Sequence, residues 1–128
     1  MTVNEKWAKT IAKLYVECVL SRENDRIKNP VLNEGKYDLL MTTWTNCVEL
    51  AKQYKGKAEG DDPGFPCDCH LIELELPTET DEIILREILK GKLAEAINSA
   101  DEVNIDTDPK GNLRIHFGFE NVYTEREV

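Results

Sequence analysis

Apolar residues recur at steps of three and four along the first half of the chain, the spacing that predicts amphipathic helices. A first helix is predicted from about Val3 to Arg22, and Cys18 falls on its apolar side. A polar connection over residues 22–35 follows, and a second helix ends before Gly56. Its apolar stripe comprises Tyr37, Leu40, Met41, Trp44, Cys47, Val48, Ala51 and Tyr54. Both helical cysteines are therefore predicted to face the core.

The apolar period changes from helical to alternating at residue 70. His70 to Leu76 alternates, which predicts a strand with one covered face and one face carrying Leu71, Glu73 and Glu75. Thr78 and Thr80, with the acidic residues beside them, predict the start of a helix that runs to about Ser99. A β-hairpin follows, with a turn over residues 108–112.

This order of elements predicts an α+β fold of one domain. Two N-terminal helices are followed by strand, helix, strand and strand, which form a small antiparallel or mixed sheet with helices on one face. Residues 1–58 make the helical half, and residues 59–128 make the acidic α+β half. No apolar run is long enough to cross a membrane, and the N-terminus lacks a signal pattern, so we expect a soluble intracellular protein.

The net charge of −9 is distributed unevenly. Residues 1–58 carry ten Lys or Arg and seven Asp or Glu, a net +3, whereas residues 59–128 carry six and eighteen, a net −12. An acidic half of this size would repel nucleic acid, which argues against a direct nucleic-acid binder. It favours a protein partner with a basic surface, although excess acid also keeps small proteins soluble.

Residues 67–70 read Cys-Asp-Cys-His, which concentrates two thiols and an imidazole at the end of a loop. Thiolate and imidazole are the ligands that zinc prefers, so Cys67, Cys69 and His70 predict a structural zinc site. Cys47 is the favoured fourth ligand, and Cys18 or His116 are the alternatives. The competing interpretation is two reduced thiols beside a surface histidine. A disulfide between Cys67 and Cys69 would need a distorted ring.

No other pattern assembles a catalytic site. His116, Arg114 and Gly118 should share the polar sheet face with Glu73 and Glu75, where a cross-strand ion pair is the expected outcome. The segment from Asp106 to Gly111 begins like a calcium loop, but later ligand positions are wrong, so it predicts a hairpin turn. No residue orients Cys67 or Cys69 as a nucleophile. The sequence therefore predicts a protein that is not an enzyme.

In overall character the chain resembles the small phage-encoded anti-CRISPR proteins that inhibit type II RNA-guided nucleases. The resemblance lies in a short, acidic, single-domain chain with a helical N-terminal half and a charged α+β C-terminal half, and no motif carries it residue by residue. It implies a stoichiometric inhibitor in the cytoplasm of the infected bacterial cell. The implied partner is an RNA-guided CRISPR nuclease, whose basic channel holds nucleic acid, with no membrane involved.

Two hypotheses follow from these observations. In the first, acidic residues within 59–108 contact a basic partner and block its loading of target DNA, with Asp61, Asp62, Glu73 and Glu75 as the named contacts. In the second, the chain is a small metal-dependent enzyme or regulator that uses the cluster of Cys67, Cys69 and His70 directly. A structural metal has four protein ligands, whereas a catalytic metal keeps one position open.

Overall fold

The predicted α+β architecture is confirmed in a computed structural model that describes residues 5–22, 33–60, 70–77, 80–120 and 122. Within these ranges, two helices come first along the chain, and two further helices lie between the second and third strands of a four-stranded sheet. The helices are α1 (Glu5–Leu14), α2 (Asn33–Gln53), α3 (Glu82–Glu87) and α4 (Ala94–Ser99). The strands are β1 (Lys57–Gly60), β2 (His70–Leu76), β3 (Glu102–Thr107) and β4 (Leu113–Phe119).

The sheet is antiparallel throughout, with the strand order β1-β2-β4-β3. The central pair is β2 and β4, in which Ile72 lies opposite Phe117 and Leu74 opposite Ile115. These four side chains are buried on one face. α2 contacts β1 and β2, and α1 contacts β3, so helices cover that face. The hairpin turn was also predicted correctly, because the Asp108 carboxylate accepts hydrogen bonds from the N–H groups of Lys110 and Asn112.

Helix α2 begins at Asn33, whereas the sequence placed residues up to Gly35 in a connection. Cys47 is fully buried on this helix, as predicted, and Cys18 is buried in the turn after α1. Met41 was assigned to the apolar stripe but is partly exposed, at the edge of the buried surface. The stripe was correct in its centre, where a helix packs most closely, and less reliable at its margin.

Strand β1 was missed, because Lys57-Ala58-Glu59-Gly60 has no alternation of large apolar residues. It forms by pairing with β2, with Ala58 opposite Leu74. Gly56, just before β1, permits the backbones of β1 and β2 to approach closely. A Cβ atom on Gly56 would lie 2.1 Å from the carbonyl oxygen of Glu75. Strand formation here depends on the neighbouring strand, which local pattern does not reveal.

Two predicted helices contain π-helical turns instead of continuous α-helix. The first follows α1 at Tyr15–Val19 and leads into a 3₁₀ turn at Leu20–Arg22. The second, Ile88–Lys92, separates α3 from α4 and contains Gly91. The Glu17 carboxylate in the first turn bonds Arg86 of α3 and, at 2.7 Å, Lys90 of the second turn. A side-chain cluster between helices thus joins the two irregular turns.

Lys36, in the first turns of α2, ties that helix to the ends of two strands. Its Nζ donates to both carboxylate oxygens of Asp101 at 3.1 Å and to the carbonyl oxygen of Glu120 at 2.9 Å. Asp101 also accepts a hydrogen bond from the N–H of Glu120 at 2.7 Å. The Lys36 side chain is only 9% exposed, so these hydrogen bonds offset the cost of removing its charge from water.

Candidate functional site

The outer face of the sheet, which the helices leave uncovered, collects polar side chains from all four strands. Alternation places five carboxylates on it, against the two cations Lys57 and Arg114. The carboxylates belong to Glu59, Glu73, Glu75, Glu102 and Asp106. All five are exposed or half-buried. We call this surface the acidic face, and it is the candidate functional site.

Ion pairs order the centre of the acidic face. Arg114 binds both carboxylate oxygens of Asp106, at 3.0 Å through Nε and 3.2 Å through an Nη atom. The His116 Nε2 atom lies 3.4 Å from Asp106 and 3.6 Å from Glu73. The expected cross-strand contact between His116 and Glu73 is therefore present. Because Arg114 engages Asp106 and Lys57 engages Glu59, the remaining carboxylates, those of Glu73, Glu75 and Glu102, dominate the electrostatic field of the face.

Glu75 and Asp108 form a pair of interacting carboxyl groups at one edge of the acidic face. The hydrogen bond with Asp108 is the main cause that raises the pKa of Glu75, and burial and the charge of Asp108 add to it. Burial acts to raise the pKa of Asp108 as well, but hydrogen bonds from Asn112, Glu75 and Lys110 lower it overall. The interaction of the two carboxyl groups therefore raises the pKa of Glu75 and helps to lower the pKa of Asp108.

Glu75→Gln is expected to stabilise the protein slightly at neutral pH. Because the folded state raises the pKa of Glu75 above its ordinary value of 4.5, folding loses stability as the pH rises from 4.5 through the folded pKa, and the loss is complete above that pKa. Glutamine keeps a donor toward Asp108 without the charge. The gain in urea midpoint should therefore be present at pH 7 and vanish below pH 4.5. Glu95→Gln, on the exposed side of α4, is the control. Equal shifts of the urea midpoint for both variants at both pH values would contradict the raised pKa of Glu75.

The cysteine cluster lies mostly outside the residues that the structure describes. Cys67 and Cys69 belong to the undescribed segment 61–69, and His70, the first residue of β2, is buried rather than at the surface. Cys47 is fully buried, and loss of hydration raises the pKa of its thiol to about 12. Across the described ranges no three His, Cys, Asp or Glu side chains are grouped to hold a metal. Zinc binding by this cluster stays a prediction.

Elemental analysis should find about one zinc per purified chain if the cluster binds metal. Cys67→Ser with Cys69→Ser should then release the metal and lower the melting temperature, since metal binding contributes folding free energy. Cys18→Ala removes a buried thiol that is not a favoured ligand, so it should keep the zinc even if it lowers stability. A zinc-free wild-type chain would eliminate the site.

The structure brings together two of the four named partner contacts. Glu73 and Glu75 lie side by side on the acidic face, while Asp61 and Asp62 fall in the undescribed segment. Glu102 and Asp106 lie within the acidic range 59–108, but only the strand register aligns them with β2. The alternation of Glu102, Asn104 and Asp106 with apolar residues was the signal for their common face.

Known proteins do not extend these findings. No protein-family model, curated protein sequence or solved structure matches the chain. Within the ranges that the structure describes, no helix combines the length and apolar character needed to cross a membrane.

Proposed function

We propose that this protein is a stoichiometric inhibitor that binds a basic, nucleic-acid-binding surface of another protein through the acidic face. The observation that carries the proposal is the concentration of five carboxylates, against two cations, on one uncovered sheet face. Charge of one sign on one surface attracts an oppositely charged partner and orients the encounter.

The distribution of charge around the molecule supports a one-sided encounter. Lys6, Lys9 and Lys13 lie exposed along α1, which belongs to the layer that covers the other face of the sheet. A basic partner is attracted to the acidic face and repelled from this helix. The protein would therefore present one preferred side to a basic channel.

The target class comes from the resemblance to anti-CRISPR proteins. A type II RNA-guided nuclease holds its guide and target in a positively charged channel, which is a large basic surface that an acidic protein can occupy. Occupation of that channel would prevent target DNA from loading. This mode requires no nucleophile, general base or phosphate-binding loop in the inhibitor.

The experiment is a titration of a guide-loaded type II nuclease with the purified protein. Inhibition should saturate near one inhibitor per nuclease, and the nuclease should regain activity when high salt dissociates the complex. In a gel-shift assay, prior addition of the protein should prevent DNA binding. A double variant that neutralises the acidic face, Glu73→Gln with Glu75→Gln, should inhibit the nuclease less than wild type. The control is the double variant Glu87→Gln with Glu95→Gln, at exposed helix positions, and it should inhibit as well as wild type.

Other outcomes would replace this proposal. Loss of nuclease activity at a small fraction of equimolar inhibitor would indicate an enzyme and favour the metal-dependent alternative. Normal DNA binding with lost cleavage would indicate a clamp on a mobile catalytic domain. No effect on such nucleases would remove this target class.

A further inference from the structure

An open groove of about 490 Å³ lies where the first π-helical turn meets the start of β3 and the acidic face. Its lining includes Tyr15 and Leu20 from the helical layer, and Leu71, Glu102 and Gly118 from the sheet. No described residue that lines it is Lys or Arg. The groove therefore combines apolar surface with the exposed Glu102 carboxylate at its edge.

Two of the large apolar residues in this groove are unusually exposed. Leu71 is 63% exposed at the start of the otherwise polar outward row of β2, and Leu20 is 49% exposed. Most of the chain's other leucines that the structure describes are buried. Exposed apolar surface bordered by charge is typical of an interaction site.

Gly118 forms the floor of the groove between Leu71 and Glu102. The three residues are aligned across neighbouring strands, with Gly118 opposite both of the others. A Cβ atom on Gly118 would lie 3.2 Å from the Glu102 Cβ and 3.5 Å from a Leu71 methyl carbon. Only the absence of a side chain there leaves a notch beside the Glu102 carboxylate.

We propose that this groove binds a segment of the partner protein that carries an arginine beside a large apolar side chain. The inference rests on the proposed function and names the chemistry of the contact. The aliphatic stem of the arginine would pack on Leu71 above Gly118, and its guanidinium would meet the Glu102 carboxylate. The neighbouring apolar side chain would lie toward Leu20 and Tyr15.

Charge complementarity selects this occupant. Asp101 at the groove is engaged by Lys36, whereas Glu102 is exposed at its edge. A carboxylate favours a guanidinium because two parallel hydrogen bonds can form. Surfaces that hold nucleic acid are rich in arginine, so a basic channel supplies such segments. An acidic segment would be repelled by the Glu102 carboxylate, and a purely apolar segment would remove water from that carboxylate without replacing its hydrogen bonds.

The test uses the full chain labelled with ¹⁵N and the pentapeptide acetyl-Gly-Leu-Arg-Leu-Gly-amide as the probe. Saturable amide shifts are expected at Leu71, Glu102 and Gly118. A peptide with citrulline in place of arginine has nearly the same shape without the charge and should bind about tenfold more weakly. Glu102→Gln should lower the affinity for the arginine peptide by about tenfold and leave the affinity for the citrulline peptide nearly unchanged.

Leu71→Ser should lower the affinity for both peptides several-fold, because it removes apolar contact and leaves the Glu102 charge in place. Glu95→Gln, on exposed α4, is the matched charge control and should not change binding. Equal binding of the two peptides, shifts confined to other surfaces, or an unchanged affinity in Glu102→Gln would overturn the inference.

This assay contains no nuclease, so the two proposals can fail separately. Nuclease inhibition without peptide binding in the groove would keep the inhibitor function and overturn the arginine site. Peptide binding in the groove without effect on any nuclease would keep the site and remove the proposed target.

Discussion

Replacing Lys36 with Met should lower the free energy of unfolding by about 3 kcal/mol, because it removes a buried ammonium together with its bonds to Asp101 and to the Glu120 carbonyl. Lys36 is 9% exposed and donates to Asp101 and to the Glu120 carbonyl. Its loss removes the hydrogen bonds that join α2 to the residue before β3 and the residue after β4. Urea unfolding followed by circular dichroism measures the change.

Lys57→Met is the matched control for this prediction. Lys57 also pairs with a carboxylate, that of Glu59 at 2.6 Å, but the two side chains are 66% and 56% exposed. Water solvates both charges, so the control should cost much less stability than Lys36→Met. Adding Asp101→Asn to Lys36→Met should recover part of the loss, since it removes the negative charge that the Lys36 ammonium balances. Similar losses for Lys36→Met and Lys57→Met would show that burial of the Lys36 cluster does not matter.

Reversing Glu73 and Glu75 to lysine should weaken binding to the basic partner by about 100-fold at low salt, if the acidic face makes the contact. Each substitution replaces attraction by repulsion on that face. Most of the change should appear in the association rate. Surface plasmon resonance with an immobilised guide-loaded nuclease measures the rates, and wild-type affinity should itself fall as salt rises toward several hundred millimolar.

Glu87→Lys with Glu95→Lys changes the net charge equally at exposed helical positions and is the control for location. It should reduce affinity by a few-fold at most, through the weaker general field. A far-ultraviolet spectrum unchanged from wild type confirms that the reversed acidic face still folds. Equal losses for both double variants would mean that total charge, rather than the acidic face, drives association.

The fold was largely predictable because its central elements carry strong periodic patterns. The strand from His70 to Leu76 was placed with its correct bounds, and the Asp108 turn was recognised from its turn residues. Strand β1 and the two π-helical turns were not predictable in this way. β1 exists because β2 offers it hydrogen bonds, and no helical spacing distinguishes a π turn from an α turn over five residues.

The candidate site was predictable only in part. Alternation correctly placed Glu73 and Glu75 on the uncovered face, together with His116 and Arg114. The groove was invisible in the sequence, because Leu20 and Leu71 belong to elements about fifty positions apart. The zinc prediction rests on the cysteines of segment 61–69 and depends on metal analysis.

The sequence by itself determined the α+β class, the sidedness of β2 and β4, and the acidic character of the C-terminal half. These are local properties, since periodicity and charge belong to neighbouring residues. Only the tertiary structure decided the strand order, the pairing of Lys36 with Asp101, and the placing of Leu71, Gly118 and Glu102 in one row. Those features join residues distant in the chain, and their geometry follows from which buried faces pack together.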